Sequence, residues 1–127
     1  MKNVLIIGVA RFGYRIAKEL SKLNTEILAV DLNEEHLQKV DRFASKTLIG
    51  DGSDLDFLKG IGINTFDECI VTIGDDFQAS LETVYNLKEL GAKKVTARAS
   101  KEAQKNLLLK MRAGLVVYPE KQLARWT

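Results

Sequence analysis

Cysteine is almost absent from this sequence: Cys69 is the only one in 127 residues, so no internal disulfide can form. With a single histidine, His36, beside that lone thiol, a four-ligand structural zinc site cannot be assembled either. Such sparing use of thiols fits a reducing, cytoplasmic setting. Proline occurs once and glycine nine times, which argues against long disordered or low-complexity tracts. Charge of one sign is also scarce. Nineteen basic and seventeen acidic side chains leave a net charge of +2, too little for the positive footprint that phosphate-backbone binding requires, so nucleic acid is not an expected partner. Long apolar runs are missing as well: the opening segment from Met1 to Gly8 is too brief for a secretory core, and nothing approaches the roughly 20 residues that span a bilayer. No direct membrane insertion is expected, and any link to a membrane runs through a partner protein.

What the chain does have is 46% apolar residues over a length that suits one domain. Short β-branched runs alternate with segments of helical period. Val4 to Gly8, Glu26 to Asp31, Lys46 to Ile49, Glu68 to Ile73, Lys94 to Arg98 and Leu115 to Tyr118 read as strands. Arg11 to Leu23, Glu34 to Phe43, Asp54 to Gly60, Phe77 to Leu90 and Lys101 to Met111 read as helices. Strands such as Val4-Leu5-Ile6-Ile7 are nearly continuous in apolar character, as a parallel sheet covered on both faces requires. The predicted fold class is α/β: one doubly wound, Rossmann-like domain with a six-stranded parallel sheet and helices on both faces.

In such a fold ligands bind beyond the carboxyl ends of the strands, and the turn after the first strand is the usual centre of the site. Here that turn is Gly8-Val9-Ala10-Arg11-Phe12-Gly13. Gly8 suits the tight turn and Gly13 the close packing of helix on sheet, while free N–H groups at the helix start attract a pyrophosphate. Ala10 stands where the glycine-rich pattern has its middle glycine, and its methyl group faces the point of closest phosphate approach. Asp31, ending the second strand, suits the hydroxyls of an adenosine ribose and by its charge disfavours a 2′-phosphate; its bland role is to cap the next helix, with Asn33 as competitor. Arg11 can pair with a phosphate or be an ordinary surface cation. In Gly50-Asp51-Gly52-Ser53-Asp54, Asp51 can accept from the adenine amino group, or Ser53 can simply cap a helix. Gly74-Asp75-Asp76 and Arg98 end the fourth and fifth strands on the same edge.

Catalytic chemistry finds little support. His36 reads as a solvated helix residue away from the strand ends, and Cys69 as a small core residue. Tyr14 and Lys18 satisfy Y-x-x-x-K, yet they lie on the first helix behind the phosphate loop.

The words Ile6-Ile7-Gly8-Val9-Ala10-Arg11-Phe12-Gly13, Val30-Asp31-Leu32-Asn33-Glu34-Glu35, Gly50-Asp51-Gly52-Ser53-Asp54, Thr72-Ile73-Gly74-Asp75-Asp76-Phe77-Gln78-Ala79-Ser80 and Tyr118-Pro119-Glu120 together carry a resemblance. Over essentially its whole length the chain resembles the N-terminal nucleotide-binding (KTN) domain of the RCK family, regulators of potassium channels and transporters, most nearly those of Ktr or Trk type. The resemblance implies a non-enzymatic regulatory domain that binds an adenine nucleotide, ATP or ADP in some members and NAD or NADH in others. It implies contacts from the glycine loop, with Arg11 and Arg98 on phosphates, Asp31 on the ribose, and Leu32, Asn33, Asp51, Gly52, Ser53, Ile73, Gly74, Asp75 and Gln78 around the ligand. Glu120 stands where Ktr-type regulators place a carboxylate that helps to hold a cation at a dimer interface. It further implies homodimers assembled into a ring against an integral-membrane potassium channel or transporter at the inner face of the membrane. The chain is expected to stop at Thr127 without the family's C-terminal regulatory domain. Two other readings stay open: a small NAD-dependent oxidoreductase, and a degenerate module that serves only assembly.

Overall fold

The computed structural model describes residues 1–74 and 76–117. Its elements follow in the order β1 (Lys2–Ile7), α1 (Arg11–Leu20), β2 (Thr25–Asp31), α2 (Glu34–Val40), β3 (Lys46–Ile49), α3 (Leu55–Lys59), a 3-10 turn (Ile63–Thr65), β4 (Glu68–Val71), α4 (Phe77–Glu89), β5 (Val95–Arg98), α5 (Glu102–Lys110) and β6 (Leu115–Val117). The six strands form one sheet in the order β3-β2-β1-β4-β5-β6, with every pair parallel. This is the doubly wound arrangement expected from the sequence. The chain winds outward from β1 in one direction and then returns to lay β4 on its other side. That reversal opens a crevice at the carboxyl ends of β1 and β4, where two loops diverge instead of crossing over the same face.

The apolar run in β1 is explained by its central position. Val4 and Ile6 pack with Ala17, Ile27, Leu37 and Val40 beneath α1 and α2. Leu5 and Ile7 turn to the opposite face, into a core with Val71, Val84, Leu87 and Leu108 beneath α4 and α5. Alternate side chains of one strand thus anchor both layers, and each fully buried Leu or Ile contributes about 1.5–3 kcal/mol.

Several boundaries fall short of the sequence reading. α1 ends at Leu20 and not Leu23, because the Thr25 hydroxyl donates to the Leu20 carbonyl and Leu23 N–H closes a turn back to Leu20. β4 ends at Val71, two residues before Ile73, where its pairing with β5 stops at Ala97. The Thr72 N–H still bonds the Ile7 carbonyl at 2.8 Å, but its hydroxyl donates to the Gly8 carbonyl and couples the two strand ends. The 3-10 turn after Gly62, whose φ is +80°, was not apparent in the sequence. Tyr118, expected in the last strand, lies outside the described residues.

Candidate functional site

The site is built on the turn from β1 to α1. Gly8 has φ +92°, and a Cβ there would stand 2.7 Å from the carbonyl carbon and oxygen of Thr72, so only glycine fits. Its N–H donates to the Val30 carbonyl at 2.8 Å, which ties the turn to the end of β2. Gly13 lies buried in the first turn of α1, where a Cβ would run into the Gly8 carbonyl; this brings the helix down onto the loop. Its role is packing beneath the turn. Ala10 is the N-cap of α1 with no side-chain cap, and the first turn holds no acidic residue. Of the other helices, which begin at the same edge of the sheet, α2, α3 and α4 are capped by the side chains of Asn33, Asp54 and Asp76, and α5, without a side-chain cap at Lys101, carries Glu102 in its first turn. The start of α1 therefore offers uncompensated N–H groups to an anion.

Asp31 closes this turn from β2. Its Oδ2 accepts from Val9 N–H at 2.8 Å and faces His36 Nδ1 at 3.2 Å, while Oδ1 accepts from Asn33 N–H at 2.8 Å. The carboxylate is thus aimed and nearly enclosed, with its side chain 11% exposed. It does not cap α2. Asn33 does, by accepting from Glu35 N–H at 2.8 Å. One lone pair of Oδ1 stays available to a hydroxyl donor. His36, read from the sequence as lying away from the strand ends, stands in the first turn of α2 against Asp31, because only Leu32 and Asn33 separate β2 from that helix.

A cleft of about 270 Å³ gathers Gly8, Ala10, Asp31, Leu32, His36, Asp51, Gly52, Thr72, Ile73, Gly74 and Asp76 at the strand ends. Asp51 Oδ1 accepts from both the N–H and the hydroxyl of Ser53, at 2.9 and 2.7 Å, which fixes the carboxylate at the rim. Asp54, not Ser53, caps α3. A second cavity of about 250 Å³ meets the cleft at Gly74 and continues past Phe77 and Ser80 to Arg98, Ser100, Lys101 and Gln104. Arg98 also lies over the Phe12 ring, its guanidinium carbon 5.4 Å from the centroid.

Not every residue singled out from the sequence joins this cleft. Ser53 and Gln78 line a separate groove with Leu81, Glu82, Tyr85 and Asn86, and Gln78 donates to Glu82 at 3.1 Å. Val9 is buried and offers only its backbone. Arg11 opens onto a different cavity, beside Tyr14 and Lys39. Tyr14 accepts from Arg42 Nη2 at 2.9 Å and packs edge-on against Phe43, so the tyrosine of Y-x-x-x-K is engaged beside the end of α2. Asp75 and Glu120 lie outside the described residues. Cys69 is buried in β4, where burial first and the Glu68 carboxylate second push its thiol up to about 12. Among the described residues no group of three or more His, Cys, Asp or Glu could hold a metal ion. The sequence reading missed His36 and Thr72.

The family model of the TrkA-N domain matches residues 4–119. The chain belongs to the TrkA-N domain family. Ktr system potassium uptake protein C of Bacillus subtilis (strain 168) is 38% identical to this TrkA-N chain over 124 residues, covering 98% of the chain and 56% of that protein. Ktr system potassium uptake protein A of the same organism is 35% identical over 122 residues, covering 96% of the chain and 55% of that protein. The chain spans little more than half the length of these curated relatives. Among solved structures, GsuK bound to ADP superposes with a TM-score of 0.83 at 17% identity, over 98% of this chain and 33% of that one. The AMP-bound Kef C-terminal domain of Shewanella denitrificans superposes with a TM-score of 0.73 at 21% identity, over 91% and 70%. At such identities the superpositions establish the shared TrkA-N fold. No helix among the described residues is long and apolar enough to cross a membrane.

Proposed function

We propose that this TrkA-N chain is the nucleotide-sensing part of a potassium-transport regulator, binding an adenine nucleotide without covalent chemistry. The observation that carries the reading is Asp31, held beside an uncapped helix start at the switch point of the sheet. Asp31 takes the ribose hydroxyls, and the first N–H groups of α1 with Arg11 take the phosphates. Asp51 at the rim takes the adenine amino group, and the extension past Gly74 toward Arg98 takes the distal part of a longer ligand. The solved structures of the same fold bound to ADP or AMP support an adenine nucleotide as the class; titration separates ATP, ADP, NAD and NADH.

In this reading the chain works in the cytoplasm as a homodimer within a ring, seated on an integral-membrane potassium channel or transporter subunit. Supporting this, Tyr85 on α4, Leu107 and Leu109 on α5 and Leu115 on the edge strand β6 leave large apolar surface exposed. Glu120 supplies a carboxylate to a cation at the dimer interface, and residues 1–127 form the N-terminal lobe of the regulator. The ligand acts by population shift: two nucleotides that differ in one phosphate bias the ring only through their different affinities for its two states, typically about 1–3 kcal/mol.

Calorimetric titration with ATP, ADP, AMP, NAD and NADH tests the reading, with Asp31→Asn as the control. Binding of one class that is lost in the control supports it. Turnover of a reduced nicotinamide would favour the oxidoreductase instead, and no binding at all would favour a module for assembly alone.

A further inference from the structure

Between α1 and α2 lies a cavity of about 370 Å³ that the nucleotide reading engages through no side chain but that of Arg11. Its lining comes from the glycine loop and the facing turns of two helices: Val9, Ala10, Arg11, Tyr14, His36 and Lys39. Ala10 and His36 also line the cleft around Asp31, so the two spaces share a wall. They diverge from it. The cleft runs on to Thr72, Ile73 and Gly74 beyond β4, whereas no residue of that segment lines the second cavity.

The lining is chemically one-sided. Arg11 and Lys39 bring two cations, and no carboxylate lines the space. The Tyr14 hydroxyl accepts from Arg42, which leaves its own hydrogen to donate. His36 spends Nδ1 on Asp31 and leaves Nε2 for a second partner. The uncapped start of α1 adds positive potential from behind Ala10 and Arg11. Three donors, the Arg11 guanidinium, the Lys39 ammonium and the Tyr14 hydroxyl, around one space of this size suit a tetrahedral phosphate group, with Arg11 able to engage two of its oxygens.

We infer that this cavity is a phosphate-group subsite beside the nucleotide cleft, filled either by a 2′-phosphate on the ribose that Asp31 holds or by a separate inorganic phosphate. The first source rests on the nucleotide reading above. An acid at the end of the second strand ordinarily repels a 2′-phosphate. Here that acid already receives N–H donors from Val9, Asn33 and His36, and the cations stand next to it.

The test is calorimetric titration of the chain and of Lys39→Gln with three probes: 5′-AMP, adenosine 2′,5′-bisphosphate and inorganic phosphate. The bisphosphate is expected to bind about tenfold more tightly than 5′-AMP, the worth of one charge-assisted contact. Lys39→Gln removes that gain and leaves 5′-AMP binding unchanged. Phosphate binding that depends on Lys39, without a bisphosphate advantage, assigns the cavity to a separate anion. A bisphosphate weaker than 5′-AMP, together with no Lys39-dependent phosphate binding, overturns the inference. Failure of every adenine nucleotide counts against the nucleotide reading instead, because the phosphate arm reports on the cavity independently.

Discussion

Replacing Gly13 by alanine sets two effects of opposite sign against each other. Inside a helix the change ordinarily stabilises by about 1 kcal/mol, because alanine loses less backbone entropy. At this position the new methyl group would stand 2.7 Å from Thr72 Oγ1 and 3.0 Å from the Gly8 carbonyl carbon, and nearer still to the Gly8 oxygen. Those neighbours cannot yield cheaply. The Gly8 N–H is bonded to Val30, its carbonyl receives the Thr72 hydroxyl, and its φ of +92° leaves the loop little room to relax. Overpacking of a rigid contact costs about 3 kcal/mol, the upper end of the usual range. The net expectation is a loss of about 2 kcal/mol, seen in urea unfolding as a lower midpoint with unchanged slope, or as a fall in Tm of roughly 8 °C for a domain of this size. Helix α1 also lifts from the loop, so nucleotide affinity falls with stability. A Gly13→Ala variant as stable as the parent, or more stable, would refute the close-packing argument for this turn.

Three further outcomes follow from the same contacts. Asp31→Asn keeps the shape of the side chain but removes the charge behind its hydrogen bonds, so adenine nucleotide affinity should fall about tenfold to a hundredfold by calorimetry. Thr72→Val leaves the Gly8 carbonyl without its hydroxyl donor and should cost about 1–2 kcal/mol in denaturant unfolding; no loss would mean that the two strand ends are not coupled through this bond. Cys69, with its thiol raised from 9.0 to about 12, stays protonated in the native state while an unfolded thiol ionises, so its contribution is intact below about pH 9 and declines as pH rises from there toward 12. Stability of the wild type should therefore drop more steeply over that window than that of Cys69→Ala, and a disulfide reagent should label the native thiol only upon unfolding.

Much of this architecture was legible because its signals are local. The apolar runs of β1 and β4 and the three-and-four-residue spacing of the helices set the alternation of elements, and the positions of Gly8 and Gly13 announced the turn and the packing beneath it. What escaped depends on register across the fold. In Gly50-Asp51-Gly52-Ser53-Asp54 each of the three polar residues can cap a helix, and only the helix start at Leu55 selects Asp54. Gln78 lies one residue into α4, yet the helix phase turns it toward Ser53 and Tyr85 and away from the cleft. His36 belongs to the second helix, and helix membership alone does not say how near the strand ends its first turn lies. A two-residue connection from Asp31 makes the first turn of α2 part of the strand-end rim. That connection length was the available signal.

The most direct test of where this chain binds its ligand is a heteronuclear NMR titration with the tightest-binding adenine nucleotide. Amide signals of Val9 to Gly13, Leu32, Gly52, Ile73 and Gly74 should shift together and saturate, while those of Tyr85 and Leu107 on the outer helices stay in place. Saturating shifts confined to the groove of Ser53, Gln78 and Tyr85, or none in the folded protein, would contradict a nucleotide site at the switch point of the sheet.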